Sequence, residues 1–309
     1  MKSMAVHRFE PERFHNVFGG HEAVLSLSPG DLLITRTVDA HGVDSQMRQV
    51  AVRPNPLTGP FSVRGAEPGD TLVVQLEKIL PNREPGWTTN AIDPALVDPD
   101  FARNVPEKQY VEWRVNKKSK SVFLTDAGWS LGRLELPLDP MLGCVGVAPK
   151  DGQMLSSMTS AEHGGNMDWC GCRQGVSLYL PVFNSGALLY IGDGHAVQSD
   201  GEIGGNGVEI SMDVELSVDL IKGRETGWPR AEDDRWLYTL GNARPFFQAL
   251  QHATTEMIRW LAQDYNLGFS EASILMSQSI RYEVANIFDP AYTAVCKLEK
   301  ATLDGVLNS

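Results

Sequence analysis

From Val208 to Leu220 every second residue is apolar: Val208, Ile210, Met212, Val214, Leu216, Val218 and Leu220. Between them stand Glu209, Ser211, Asp213, Glu215, Ser217 and Asp219. A period of two over this length fits an extended strand, because successive side chains of a strand point to opposite faces. One face is then buried and the other wet, the pattern of an antiparallel sheet covered on one side. The acidic row is therefore expected to be a solvated face with no further task.

Partner strands are available along the chain. Residues 29–37 and 68–77 share one grammar, Pro-Gly-Asp followed by β-branched and aliphatic residues, which reads as a turn leading into a strand. Residues 110–115 (YVEWRV) and 121–126 (SVFLTD) alternate again. Residues 131–149 are apolar and punctuated by Pro and Gly, as in buried extended chain. Residues 81–110, rich in Pro, Asn and Asp, read as a long irregular loop walling a site. Helical spacing appears late, with Leu250, Ala253, Met257 and Leu261 marking a helix over 246–262. Asn266 and Gly268 suit its stop, and Ser270 starts a second helix running to about 280. Residues 287–300 read as a turn and a last strand. The expectation is a mainly β chain with a small helical hairpin near its C-terminal end, continuous as one domain over 1–309.

The net charge of −12 repels both the nucleic-acid backbone and an anionic lipid surface, so neither is expected as a partner. Charges interrupt the first residues, and no run reaches the roughly 18 apolar residues of a membrane helix, so a soluble cytoplasmic protein is expected. The four cysteines, Cys144, Cys170, Cys172 and Cys296, are too few for a disulfide scaffold and read as reduced thiols.

Residues 163–202 gather the chemistry. One polar, glycine-rich cluster is His163, Gly164, Gly165, Asn166, Met167 and Asp168; the other is Gly192, Asp193, Gly194 and His195, followed by Gln198, Asp200 and Glu202. Two strand-like runs, VSLYLPV and ALLYI, lie between them. If those strands pair, both clusters sit at one sheet edge. Imidazole and carboxylates suit zinc or a related divalent ion. Asp193 and His195, two apart, can point the same way, with Asp168 joining from the other cluster. Glu202 can take a proton from water, and Asn166 can stabilise an oxyanion. Two other readings stay open: Cys170 or Cys172 as a nucleophile with His163 or His195 as base, and two tight turns with no chemistry at all. His41 stands in a loop between Asp39 and Asp44.

HGGNMD and LPVFNSGALLYIGDGHAVQSDGE together resemble the signature of the acetamidase/formamidase family. GPFSVRGAEPGDTLVVQLEKI, LGCVGVAP and SQSIRYEVANIFDPAYTAVCKLEK extend that resemblance from about residue 15 to about residue 300. It implies hydrolysis of a small neutral amide to a carboxylate and ammonia. It also implies a β-sandwich, jelly-roll-like, with a smaller α+β part, a divalent metal with zinc foremost, and a homo-oligomer. The matching motif positions here are Asn166, Asp168, Asp193, His195, Gln198, Asp200 and Glu202, with Asp39 in a matching loop. Family membership does not fix their roles. We expect Asp168, Asp193 and His195 to hold the ion with Asp39 as a fourth ligand, Glu202 to be the base, Asn166 the oxyanion donor, and His41, His163, Gln198 and Asp200 to stand around the substrate. The chain departs from the family at Ser199, where relatives carry glycine, and in the loop AHGVDS. Hydrolysis of a cyclic amide, or metal and ligand binding without turnover, are the alternatives.

Overall fold

A computed structural model describes residues 4–125 and 128–307. The alternating run is the strand Met212–Ile221, hydrogen-bonded between Leu32–Arg36 and Thr71–Pro81 in a nine-stranded sheet. Beyond Thr71–Pro81 the order continues through Ser177–Pro181, Arg230–Glu232, Trp236–Ala243, Tyr292–Glu299 and Arg281–Asn286. These pairings are antiparallel, and Val6–Arg8 adds to Leu32–Arg36 in parallel. Met212, Val214, Leu216 and Val218 are buried, while Asp213, Glu215 and Ser217 are half-buried and Asp219 is exposed. Each fully buried aliphatic side chain there contributes about 1.5–3 kcal/mol.

The solvated row holds from Asp213 onward and fails at its start. Glu209 and Ser211 are 2 % and 0 % exposed. Regular pairing begins only at Met212; before it the chain crosses beside a second sheet, where Glu209 bridges to both Trp87 and His195.

That second sheet has six strands, in the order Ser160–Ala161, Gly164–Asn166, Met141–Val147, Leu189–His195, Leu57–Val63 and Leu25–Leu27. Leu33, Leu72, Val74 and Leu216 of the first sheet share one core with Phe61, Leu142, Val145 and Ile191 of the second. Met141–Val147 and Leu189–His195 are buried along their whole length, which suits their run of aliphatic and glycine residues. The two strands flanked by the polar clusters do not pair. Ser177–Pro181 joins the nine-stranded sheet and Leu189–His195 the six-stranded one. The turn between them carries the chain from one sheet to the other.

The expected helical hairpin is Phe246–Tyr265 and Phe269–Ser279, and a further helix, Lys300–Leu307, follows the last strand. Ala253, Met257 and Leu261 of Phe246–Tyr265 pack on Leu237, Cys296 and Leu298 of the nine-stranded sheet. Asn266 ends the first helix in the left-handed conformation, and Gly268, rather than Ser270, opens the second. Residues 81–110 are more ordered than their composition suggests. Pro85–Thr89 pairs with Tyr110–Asn116 in a four-stranded sheet, and Pro99–Ala102 makes one helical turn. Asp126, at the end of the expected 121–126 strand, lies outside the described residues. Among the described residues no helix is long and apolar enough to cross a membrane.

Candidate metal centre

The site is built over the middle of the six-stranded sheet. Met141–Val147 has Gly164–Asn166 on one side and Leu189–His195 on the other, with Cys144 opposite Asn166 and opposite Gly192. The segments that follow Asn166 and Gly192 therefore bring Asp168 and Asp193 together over Gly143. A Cβ at Gly143 would lie 2.2 Å from Asp168 Oδ1 and 2.5 Å from Asp193 Oδ2, so only a residue without one allows both carboxylates to sit there. Asp168, Asp193 and Glu202 all adopt left-handed backbone, with φ of 43°, 56° and 47°. Such a conformation costs a non-glycine residue about 1–2 kcal/mol, and strain of this kind concentrates at functional sites.

Glu209 reaches the cluster through its backbone bridge to His195. His195 Nε2 lies 2.8 Å from Glu209 Oε1 and 3.6 Å from Asp193 Oδ1. Neither contact has hydrogen-bond geometry. Asp168 Oδ1, Asp193 Oδ1, Glu209 Oε2 and His195 Nε2 are all buried without a hydrogen-bond partner. Leaving such atoms unsatisfied is costly unless something else meets them. Their ligand atoms form two overlapping triads, Asp168–His195–Glu202 and Asp193–His195–Glu209, each within 4.8 Å. Carboxylate oxygens with one imidazole are a donor set that fits a divalent cation.

Electrostatics agree with that fit. Burial first, then Glu202 and Asp193, push the Asp168 carboxyl well above the usual carboxylate range. Burial and Asp289 do the same to Glu202. Burial raises Glu209 to about 7 and Asp289 to about 6. Burial alone would lower His195, but Glu209 and Asp193 outweigh it and hold the ring proton well above the ordinary histidine range. The cluster thus gathers more acidic groups than its one histidine can offset, so protons or a cation have to share the site.

Amides brace the carboxylates. Asn286 Nδ2 lies 2.7 Å from Asp168 Oδ2, 3.0 Å from Glu202 Oε2 and 2.9 Å from Asp289 Oδ2. Asn55 donates to Asp193 Oδ2 at 3.2 Å and to Asn166 Oδ1 at 3.3 Å. Asn166 Oδ1 also accepts from Cys144 Sγ, and its Nδ2 donates to Asp289. One hydrogen of that amide is left for another acceptor. A cavity of about 410 Å³ opens onto Asn166, Asp193, Glu202, Glu209 and Asp289, with His41, Trp87 and Arg53 further along its wall.

The other sequence candidates fall in different places. Asp39 is 1 % exposed, but its oxygens are taken by Arg83 Nη2 at 2.5 Å, Trp87 Nε1 at 3.2 Å and the backbone N–H groups of His41 and Val43. It is not among the grouped ligands, because it closes its own loop. His41 lines the cavity, stacked on Trp87 with ring centroids 4.1 Å apart. His163 does not reach the cavity: it sits in the turn between Ser160–Ala161 and Gly164–Asn166, fully buried against Phe18. Gln198 lies behind the cluster, bonded to His195 and to the Asp168 carbonyl. Asp200 is exposed and lines a separate surface pocket. Ser199 takes an ordinary φ of −91°, so its side chain imposes no strain, and Glu202 still reaches the cavity. Cys170 and Cys172 do not line it, and burial raises both thiols to about 12, which disfavours a nucleophilic thiolate. Sequence reasoning missed Glu209, Asp289, Asn286, Asn55 and Gly143. Asn286 and Asp289 carried one signal, an Asx pattern in which the Asn286 side chain accepts the N–H of residues 288 and 289.

Comparison with known proteins places this geometry. Residues 8–161 and 151–249 match the model of the Acetamidase/Formamidase family. The acetamidase of Mycolicibacterium smegmatis is 30 % identical over 237 residues, covering 58 % of this chain and 57 % of that protein. The chain thus spans little more than half the length of such curated relatives. Among solved structures, an acetamidase from Yersinia enterocolitica superposes with a TM-score of 0.86 at 31 % identity, covering 98 % of this chain and 94 % of the other. An acetamidase from Bacillus halodurans gives 0.83 at 30 %, covering 97 % and 99 %. A γ-lactamase from Delftia acidovorans, at 20 % identity and a TM-score of 0.60, shares the fold alone. The chain belongs to the acetamidase/formamidase family.

Proposed function

We propose that the protein is an amidohydrolase that cleaves small neutral amides of the formamide and acetamide type to a carboxylate and ammonia. The observation that carries the reading is the set of buried, unpartnered donor atoms on Asp168, Asp193, His195 and Glu209 beside an open cavity. Asp168, Asp193, His195 and Glu209 would hold a divalent cation, for which we take zinc. Such a cation polarises a carbonyl and makes water a usable nucleophile near neutral pH.

Glu202 stands in the cavity wall with one oxygen braced by Asn286. That position suits a base that takes a proton from water and returns it to the departing nitrogen. That return matters because an amide anion is a very poor leaving group. The free hydrogen of Asn166 Nδ2 suits the negative charge that develops on the amide oxygen. By the family resemblance we extend the reading to a homo-oligomer, and by the sequence itself to one continuous domain and a cytoplasmic setting.

The test is ammonia release from formamide, acetamide and a lactam by wild type and Glu202→Gln. We expect a roughly 10²–10⁴-fold fall in kcat for the folded variant. Unchanged turnover would remove Glu202 from its role. No release from any amide by metal-replete wild type would leave a binding protein.

A further inference from the structure

We propose that Gln198 is a positioning residue that decides which ring nitrogen His195 turns toward the carboxylates, an inference that rests on the metal reading above. Gln198 Nε2 lies 2.6 Å from the Asp168 carbonyl oxygen and 3.8 Å from Cys170 Sγ. Gln198 Oε1 lies 2.8 Å from His195 Nδ1. A backbone carbonyl can only accept, so the amide has to present its N–H to Asp168. Reversing it would press two oxygens together with no hydrogen between them. Oε1 is thereby fixed on His195, and it can be satisfied only if Nδ1 carries the hydrogen.

Nε2 is then the nitrogen whose lone pair is available in the neutral ring. It is also the atom that lies against Glu209 and Asp193 without a hydrogen-bond partner. Gln198 is absent from the cavity wall, so its influence is exerted through the residues it holds. It performs a second task with the same amide. Asp168 and His195 come from different segments, and Gln198 bonds to both, locking their separation. Cys170 Sγ donates in turn to the Gln198 carbonyl at 3.4 Å, holding the backbone that carries the amide. A glutamate would keep the acceptor for Nδ1 but would face the Asp168 carbonyl without a hydrogen. Only the amide serves both neighbours.

Zinc alone is the probe. Wild type, Gln198→Leu and Gln198→Glu are stripped with a chelator and titrated with zinc against a chromophoric competitor. The zinc-loaded wild type, with ¹⁵N-labelled histidine, is read by NMR. We expect His195 to show a protected Nδ1–H and zinc on Nε2. Zinc affinity should fall about 10–100-fold in Gln198→Leu. Gln198→Glu, which keeps the acceptor, should recover part of that loss. Zinc on Nδ1 in the wild type, wild-type affinity in Gln198→Leu, or equal losses in both variants would each overturn the inference. If Gln198→Leu does not fold, the wild-type spectrum decides. A wild type that binds no zinc would instead remove the metal reading itself.

Discussion

Replacing Gly143 with alanine puts one methyl group between two carboxylates. The added carbon would stand 2.2 Å from Asp168 Oδ1 and 2.5 Å from Asp193 Oδ2. Carbon and oxygen settle no closer than about 3.3 Å, so each carboxylate has to withdraw by roughly 1 Å. Ligand distances in metal sites tolerate only about 0.2 Å, and a shift of about 1 Å near reacting groups costs on the order of 10² in rate. Gly143 does not occupy the left-handed region, so alanine brings no backbone strain of its own. Overpacking should cost about 1–3 kcal/mol, which leaves the fold standing. The assay combines zinc per chain after reconstitution, ammonia release from acetamide, and a thermal melt. We expect a folded Gly143→Ala protein with zinc per chain below the wild-type value and kcat/KM reduced about 10²-fold or more. Gly204→Ala is the control, because its methyl group meets nothing closer than the Ala91 carbonyl at 3.7 Å. Full zinc and full turnover in Gly143→Ala would refute the idea that these two carboxylates hold the ion.

The remaining predictions concern charge. Asp39→Asn breaks a pair with Arg83 in which both side chains are at most 3 % exposed, so stability should fall by about 3–5 kcal/mol while zinc stoichiometry stays at the wild-type value; loss of zinc would return Asp39 to the ligand set. Burial lowers His163 to about 4, below its unfolded value, so stability is intact above about pH 6.5 and drains by about 3 kcal/mol as pH falls toward 4. His163→Phe keeps a ring against Phe18 and should flatten that slope in urea titrations. Burial raises Glu209 to about 7 and Asp289 to about 6, a stabilisation present at low pH and lost as pH rises through those values. Chelated protein should therefore gain Tm between pH 8 and 6.5, above the range of His163, and zinc-loaded protein should gain less. Identical profiles with and without zinc would count against a cation in this cluster.

Much of the fold was legible because it was periodic. The strand Met212–Ile221 and the helix Phe246–Tyr265 follow from spacing alone. The site was legible in part, because residues 163–202 hold several acids and a histidine within one glycine-rich stretch. Pairing was not legible. The strands on either side of Asn184 look like neighbours in the sequence, yet they belong to opposite sheets, and only the fully buried Met141–Val147 strand explains how Asp168 meets Asp193. Glu209 was hidden by its own alternation. A period of two says that a residue faces away from its neighbours' core; it does not say whether water or another sheet lies on that side. Asp39 shows the converse: an acid beside a histidine read as a ligand, when its oxygens were needed to close a loop around Arg83. His163 is a histidine in the right motif that the turn between two short strands packs into the core.

Asn286 ends the edge strand of the nine-stranded sheet, and its single amide reaches Asp168, Glu202 and Asp289. This gives the centre an order of assembly during synthesis. Asp168, Asp193, His195, Glu202 and Glu209 are all translated long before the amide that braces two of them. A nascent chain still short of Asn286 carries these acids without the amide that holds Asp168 and Glu202 in place. The cluster is therefore complete only when the last strands of the nine-stranded sheet have docked.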